Sequence, residues 1–266
     1  MNSVLYGRHA PLIVLTVATQ TAVGLSIFRA LHQLISGVGP AGFLELFTIF
    51  MLTVTGAVVS VFHLGHPARI HTALKNPWQS WLSREGIFLF LFVATAFFQM
   101  VSASHHTLWP SILLASLGLA LLFIQGMVYV VPGYSTMENG APVLLFLFSC
   151  LTIGISLTGW FGGEGWRASL IQPARIVFSA GFLAALILPW LWRLGNAVVS
   201  DTAAAWIRSP FYYLWIVPGF ALPILILTVS DHVPMWLPVL IIPAECMGRV
   251  LFFNETRHAS DYIGKL

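Results

Sequence analysis

Eight long apolar runs constrain the fold of this chain more than any other feature of its sequence. Each has about 20 residues, the length that an α-helix needs to cross the hydrocarbon core of a bilayer. Only helices and closed barrels satisfy their backbone groups in that environment, and the sequence lacks a barrel's alternating strands. We predict an all-α integral membrane protein, a bundle of eight transmembrane helices, with spans near residues 11–34, 41–63, 86–104, 109–131, 142–161, 174–194, 211–230 and 235–253.

Charged residues are scarce, which supports this class. They make up 8% of the chain, against roughly 25% in a soluble domain. The first run has no convincing small-residue cleavage site after it, so we interpret it as a retained span rather than a signal peptide. The loops are too short for a second domain, and residues 1–266 are expected to form a single transmembrane domain.

The basic residues carry information about topology rather than about nucleic acid. The 12 Lys and Arg residues are spread among the loops and do not form the basic stripe that phosphate binding requires. With eight spans, Arg29, Arg167 and Arg175 lie on one side and the other nine on the side of the termini. The positive-inside rule then predicts that both termini are cytoplasmic.

A polar segment between the second and third runs is the main candidate site. In residues 63–86, HLGHPARIHTALKNPWQSWLSREG, His63 closes one run and Glu85 opens the next, with Arg84 beside it. Ionisable groups at a membrane boundary normally pair or line a path for ions, protons or ligands. A hydroquinone releases two protons as it is oxidised, and an imidazole or a partly desolvated carboxylate can accept them. We expect Glu85 to accept a proton and His63 to hydrogen-bond a quinone.

Other interpretations of this segment remain open. Glu85 could pair with Arg84, Arg69 or Lys75 as a network that orders the loop. His63 and His66 form a weak metal pair, because Gly65 and Pro67 interrupt the helix and no further ligands follow. None of the nine histidines lies centrally in a run, and two cysteines cannot supply the thiolates of a cluster. The pattern favours no metal or iron-sulfur cluster in this chain, and a quinol dehydrogenase subunit with a b-type haem on histidines near the ends of the runs remains an alternative.

Three further polar or aromatic clusters lie at or near the ends of runs. In residues 244–258, Glu245 and Arg249 are four residues apart, which favours an ion pair within one helix; a place near the quinone or on a proton path is the alternative. In residues 127–140, Tyr129 could contact a quinone oxygen or anchor the interface. The segment GWFGGEGWRAS, 159–169, is typical of an interfacial aromatic belt.

Taken together, four motifs resemble the membrane anchor subunit family of dimethyl sulfoxide reductase, the DmsC-like proteins. They are HLGHP at 63–67, SWLSREG at 80–86, MVYVVP at 127–132 and AECMGRVLFF at 244–253. The resemblance implies a haem-free anchor in the bacterial inner membrane that oxidises menaquinol. Electrons then pass to an iron-sulfur subunit and on to a molybdopterin catalytic subunit.

By motif match, the family's quinol-oxidising histidine and glutamate fall on His63 and Glu85. His66 stands where the family often has Ser, and it adds an ionisable group that can share the proton transfer. With Arg84 and Tyr129, these residues make up the expected quinone site. The resemblance also implies that the soluble subunits dock on the outer face, which conflicts with the charge count if the first motif lies on that face.

A polytopic transporter or proton channel is the alternative from another class. In that interpretation Glu85, Glu245 and Arg249 mark a path through the membrane. Such proteins often carry inverted repeats, and we find no clear repeat between the first and last four spans.

Overall fold

The structure is a computed structural model, and it describes residues 3–37, 42–61, 77–102, 108–130 and 140–256. Within these ranges the chain is helical without strands, and eight helices are long and apolar enough to cross a membrane. The predicted all-α bundle of eight spans is confirmed. The helices are α1 (Ser3–Ser36), α2 (Phe43–Val61), α3 (Trp81–Val101), α4 (Leu108–Val128), α5 (Ala141–Leu157), α6 (Glu164–Ser169), α7 (Ile171–Arg193), α8 (Ala197–Arg208), α9 (Pro210–Ile216), α10 (Leu222–Val229) and α11 (Leu237–Asn254).

The spans are α1 to α5, α7, α9 with α10, and α11. A single π-helical turn, Val217–Ala221, joins α9 to α10. Pro218 lies in this turn and lacks a backbone N–H, which favours such a local break in the hydrogen-bond ladder. Because successive spans alternate in direction, α1 begins and α11 ends at one membrane face, here called the termini face. The start of α3 and the end of α4 lie at the same face.

Helix α1 is the centre of the bundle and packs against α2, α4, α5 and α11. It approaches α5 closely where Gly24 meets Gly154. A Cβ atom on Gly24 would lie 2.8 Å from the Cα of Gly154, so the two backbones touch directly. Small residues allow this kind of contact between membrane helices, where dispersion forces replace the hydrophobic effect. Large apolar side chains such as Phe90 and Ile176 are exposed on the outside, as a lipid-facing surface requires.

Helix α3 begins earlier than its apolar run. Ser80 is its N-cap, and the Ser80 side chain accepts a hydrogen bond of 3.3 Å from the backbone N–H of Ser83. The prediction that the span starts at 86 was therefore too late by five residues. Glu85 does not stand at the mouth of the helix; it lies in its second turn with its side chain buried.

Two short helices, α6 and α8, were not predicted, because neither is long enough to give a spanning run. Helix α8 is capped by Asn196, whose side chain accepts from the backbone N–H of Val199 at 3.1 Å. Helix α6 buries Trp166 to 7% exposure, and its indole stacks on His32 at 4.3 Å between ring centroids. The prediction of an interfacial belt was therefore wrong for Trp166. Trp160, which is 52% exposed, has the exposure expected of such a residue.

Candidate functional site

Glu85 lies inside the bundle and is held by a neutral amide. Its carboxyl oxygen Oε1 accepts a hydrogen bond of 3.1 Å from Nε2 of Gln125 on α4. Gln125 is 1% exposed, and its own Oε1 lies 3.2 Å from the hydroxyl of Thr19 on α1. Among the described residues the partner in this bond is an amide, which orients the carboxyl. Arg69 and Lys75, the other cations with which Glu85 could pair, lie outside the described residues.

Tyr129 lies directly after α4 in an aromatic cage. Its ring meets Phe146 and Phe252 at 5.6 Å each and Phe253 at 5.2 Å, all edge-on. A phenol near neutral pH is uncharged and can donate or accept one hydrogen bond. Tyr129 follows Gln125, the hydrogen-bond partner of Glu85, by four residues, so the structure brings Glu85 and Tyr129 to the same end of the α3–α4 pair.

Arg249 and Glu245 lie next to this pair, and Ser149 of α5 bridges them. Arg249 donates to the Ser149 hydroxyl, and that hydroxyl donates to Oε2 of Glu245 at 2.5 Å. Arg249 also donates to Oε1 of Gln20 on α1 at 2.9 Å, and its guanidinium lies 4.3 Å above the ring of Phe146. The sequence predicted a direct ion pair between Glu245 and Arg249 within one helix. In the structure, the Ser149 hydroxyl of a second helix bridges the two side chains instead.

Arg84 points away from this network. Its guanidinium donates to the backbone carbonyls of Pro77 and Trp78, both at 2.7 Å, and stacks over the Trp81 ring at 4.2 Å. The loop-ordering interpretation supposed that Arg84 pairs with Glu85. Arg84 makes these contacts instead. Arg84 fixes the entry into α3, and its position relative to a quinone stays a prediction.

The two histidines of the first motif, His63 and His66, lie outside the described residues. Their expected contacts with a quinone therefore stay predictions. Within the described ranges, no three His, Cys, Asp or Glu side chains form a group that could hold a metal ion.

A second buried polar layer lies toward the opposite face. Arg29 on α1 and Glu45 on α2 form an ion pair of 2.7 Å with side chains 0% and 1% exposed. Arg29 also donates to the hydroxyl of Ser111 on α4 at 3.3 Å. The topology count treated Arg29 as a loop charge, but it is a buried structural cation, as is Arg249.

The model of the DMSO reductase anchor subunit (DmsC) family matches residues 1–254 of the chain. The chain belongs to this family. The resemblance seen in the four motifs is thereby confirmed, and the match extends through all eight spans. No curated protein matches the chain. Family membership makes this protein a multi-pass membrane anchor subunit that associates with the catalytic and electron-transfer subunits of a DMSO reductase.

Several polar residues of this anchor subunit escaped the sequence analysis. They lie within the apolar runs, where a polar residue is the signal that could have found them. Charged and polar groups there are expensive and normally face the bundle interior. The residues that this signal would have added are Thr19, Gln20, Glu45, Gln125 and Ser149.

Proposed function

We propose that this anchor subunit oxidises menaquinol beside Glu85 and passes the electrons to an iron-sulfur subunit. The observation that carries the proposal is the Glu85 carboxyl, which lies inside the bundle near the termini face and is oriented by Gln125. Tyr129 adds a neutral hydrogen-bonding group four residues after Gln125, at the same end of the α3–α4 pair. A proton acceptor next to a phenol, among aromatic rings, suits an apolar ring with two hydroxyl groups.

The chemistry balances with the groups available. A menaquinol that becomes a menaquinone gives up two protons and two electrons. Glu85 accepts one proton at its carboxylate, and His63, by the family motif, hydrogen-bonds the other ring oxygen and accepts the second. His66, where the family often has Ser, adds an ionisable group that can share that transfer, and Arg84 holds the entry to α3. The electrons go to an iron-sulfur cluster of the electron-transfer subunit, and from there to the molybdopterin catalytic subunit, which chooses the terminal substrate.

We infer that the complex sits in the bacterial inner membrane, where menaquinol is the lipid-soluble donor.

A transporter or channel is a weaker explanation of the buried charges. The backbone contact between Gly24 and Gly154 closes the centre of the bundle between the two polar layers. An open aqueous path along that helix pair has no room there.

The test uses the purified complex with two readouts. In the variants Glu85→Gln and His63→Ala, oxidation of a water-soluble menaquinol analogue should fall by about a hundredfold or more, the usual size of a general-base effect. Substrate reduction driven by a dye that feeds the soluble subunits directly should stay at the wild-type rate. Glu164→Gln is the matched control, because that side chain is 89% exposed and far along the chain from the site.

Unimpaired quinol oxidation by Glu85→Gln would contradict the proposed site. Loss of both readouts would mean that the variant had disturbed assembly, and copurification followed by mass spectrometry of the subunits separates that case. The same copurification identifies the catalytic partner and with it the substrate class.

A further inference from the structure

Arg249 is a buried cation that the proposed quinol chemistry does not use. It lies on α11 with 3% of its surface exposed, and its guanidinium is bound by two other helices. The nitrogen Nη2 donates to Oε1 of Gln20 on α1 at 2.9 Å and to the hydroxyl of Ser149 on α5. Ionisable groups inside a membrane bundle are costly, which makes each of them a candidate for a function. The contacts of the guanidinium indicate what its function is.

The guanidinium of Arg249 lies over the ring of Phe146. Its carbon Cζ is 4.3 Å from the ring centroid, and Phe146 is 0% exposed. A cation in this position is attracted by the electron-rich face of the ring, and the attraction is stronger where water is excluded. Phe146 and Ser149 are three residues apart on α5, so Arg249 contacts two neighbouring side chains on one face of that helix. Rotation of the Phe146 ring away from Arg249 would lose this contact.

Phe146 in turn contacts Tyr129, the phenol of the proposed quinol site. The two rings meet edge-on, with their centroids 5.6 Å apart and their planes at 70°. Tyr129 comes directly after Val128, the last residue of α4, and its backbone N–H donates to the Gly126 carbonyl at 3.2 Å. This bond spans three residues, as in the tight turns that end many helices. The orientation of the Tyr129 side chain therefore depends on the rings packed around it.

We propose that Arg249 is a positioning residue for the quinol: through the Phe146 ring it holds Tyr129 so that the phenol hydroxyl can hydrogen-bond the quinol ring. This inference rests on the proposed function, in which Tyr129 contacts the quinol. The contacts run from Arg249 to Phe146 at 4.3 Å and from Phe146 to Tyr129 at 5.6 Å. Arg249 therefore acts on the quinol indirectly, and loosening it should weaken quinol oxidation only as far as Tyr129 contributes.

Arg249→Lys is the variant that tests this role. A lysine keeps a positive charge beside Ser149 and Glu245, so the bundle can assemble, but it lacks the planar guanidinium that lies over the ring. Arg175→Lys is the matched control, because the Arg175 guanidinium donates to the Leu227 carbonyl at 2.9 Å near the opposite face. Copurification of the soluble subunits and dye-driven substrate reduction show that each variant has assembled.

The first measurement observes Tyr129 without any quinol. A fluorinated tyrosine is incorporated in place of Tyr129 in the purified complex, and its fluorine NMR resonance is recorded. Arg249→Lys should shift and broaden this resonance, because the ring then samples more than one orientation, and Arg175→Lys should leave it unchanged. In the Phe146→Leu background, where the connecting ring is missing, Arg249→Lys should cause no further change.

The second measurement is kcat/KM for a menaquinol analogue. Arg249→Lys should lower it about threefold to fivefold, which is less than the loss expected when Tyr129→Phe removes the hydroxyl. In the Tyr129→Phe background, Arg249→Lys should lower kcat/KM by less than about twofold further, because the effects of two residues that act through one contact do not add. Arg175→Lys should leave kcat/KM unchanged in both backgrounds.

An unchanged fluorine resonance in the assembled Arg249→Lys complex would overturn the proposal. A full additional loss of kcat/KM in the Tyr129→Phe background would also overturn it, since Arg249 would then act on the quinol directly or through general packing. The same holds if Tyr129→Phe is impaired while Arg249→Lys keeps the wild-type kcat/KM. Failure of the proposed function gives a different pattern, in which Glu85→Gln and Tyr129→Phe both keep wild-type quinol oxidation. The fluorine resonance then decides by itself whether Arg249 holds Tyr129.

Discussion

Gly24 of α1 and Gly154 of α5 face each other so closely that neither position has room for a Cβ atom. A Cβ on Gly154 would lie 2.6 Å from the Cα of Gly24, and the neighbouring atoms are backbone, which cannot move aside as a side chain can. This contact sets the spacing of the two central helices. It also places Gln20 of α1 and Ser149 of α5 close enough to share Arg249.

Gly154→Ala should therefore destabilise the bundle by about 1–3 kcal/mol, as overpacking of a filled core does. Denaturation of the purified complex in mixed detergent, monitored by circular dichroism, measures the change in the free energy of unfolding. Gly165→Ala is the matched control, since a Cβ there meets nothing within 4 Å. Equal stability of the two variants would contradict the direct backbone contact.

Gln125→Leu removes the amide that orients Glu85 while keeping a side chain of similar volume. Loss of a hydrogen bond to an ionisable group is worth about 1–2 kcal/mol, so quinol oxidation should fall roughly tenfold. Steady-state rates with a menaquinol analogue measure the effect, normalised to dye-driven substrate reduction. Gln99→Leu is the control variant, and its rate of quinol oxidation is compared with that of Gln125→Leu.

Gln99 is an equally buried glutamine near the opposite face, where its amide donates to the Pro110 carbonyl at 2.5 Å. Gln99→Leu should lower stability by about 1 kcal/mol and leave quinol oxidation per assembled complex unchanged. If both variants lose oxidation to the same extent, Gln125 acts through packing and not through Glu85.

Tyr129→Phe keeps the ring contacts with Phe146, Phe252 and Phe253 and removes the hydroxyl. If the phenol hydrogen-bonds the quinol ring, kcat/KM for the analogue should fall about fivefold to tenfold, which corresponds to roughly 1 kcal/mol. Tyr212→Phe is the control. Its hydroxyl donates to the Ala185 carbonyl at 3.0 Å, so this variant should lose stability but no quinol oxidation. A wild-type kcat/KM in the Tyr129→Phe variant would mean that Tyr129 contributes only through packing.

Glu45→Gln should destabilise the bundle more than any of these variants. It leaves the buried Arg29 charge without its carboxylate, and such a change costs about 3–5 kcal/mol. Replacing both partners, as Arg29→Met with Glu45→Leu, should recover most of that loss because neither charge is then buried. Thermal denaturation of the complex in detergent measures the stability of the single and the double variant. A single variant as stable as the double variant would mean that the pair adds little to the fold.

The sequence alone specified the class of this protein, the number of its spans and its family. Hydropathy acts over single runs of about 20 residues, so each span is visible without knowledge of its neighbours. The same local reasoning selected Glu85, because a carboxylate at the edge of an apolar run is costly wherever that run packs. It placed Glu85 at the end of the helix, because it missed the Ser80 cap that starts α3 before the apolar residues begin.

Only the tertiary structure decided which polar side chains meet. Glu85 and Gln125 are 40 residues apart, Ser149 and Arg249 are 100 apart, and Gln20 and Arg249 are 229 apart. No local pattern links such pairs, because their contact depends on the rotation and depth of each helix in the bundle. Those are set by packing, above all by the small residues that let α1 and α5 touch. The sequence therefore supplied the charged residues, and helix packing decided which of them share one buried site.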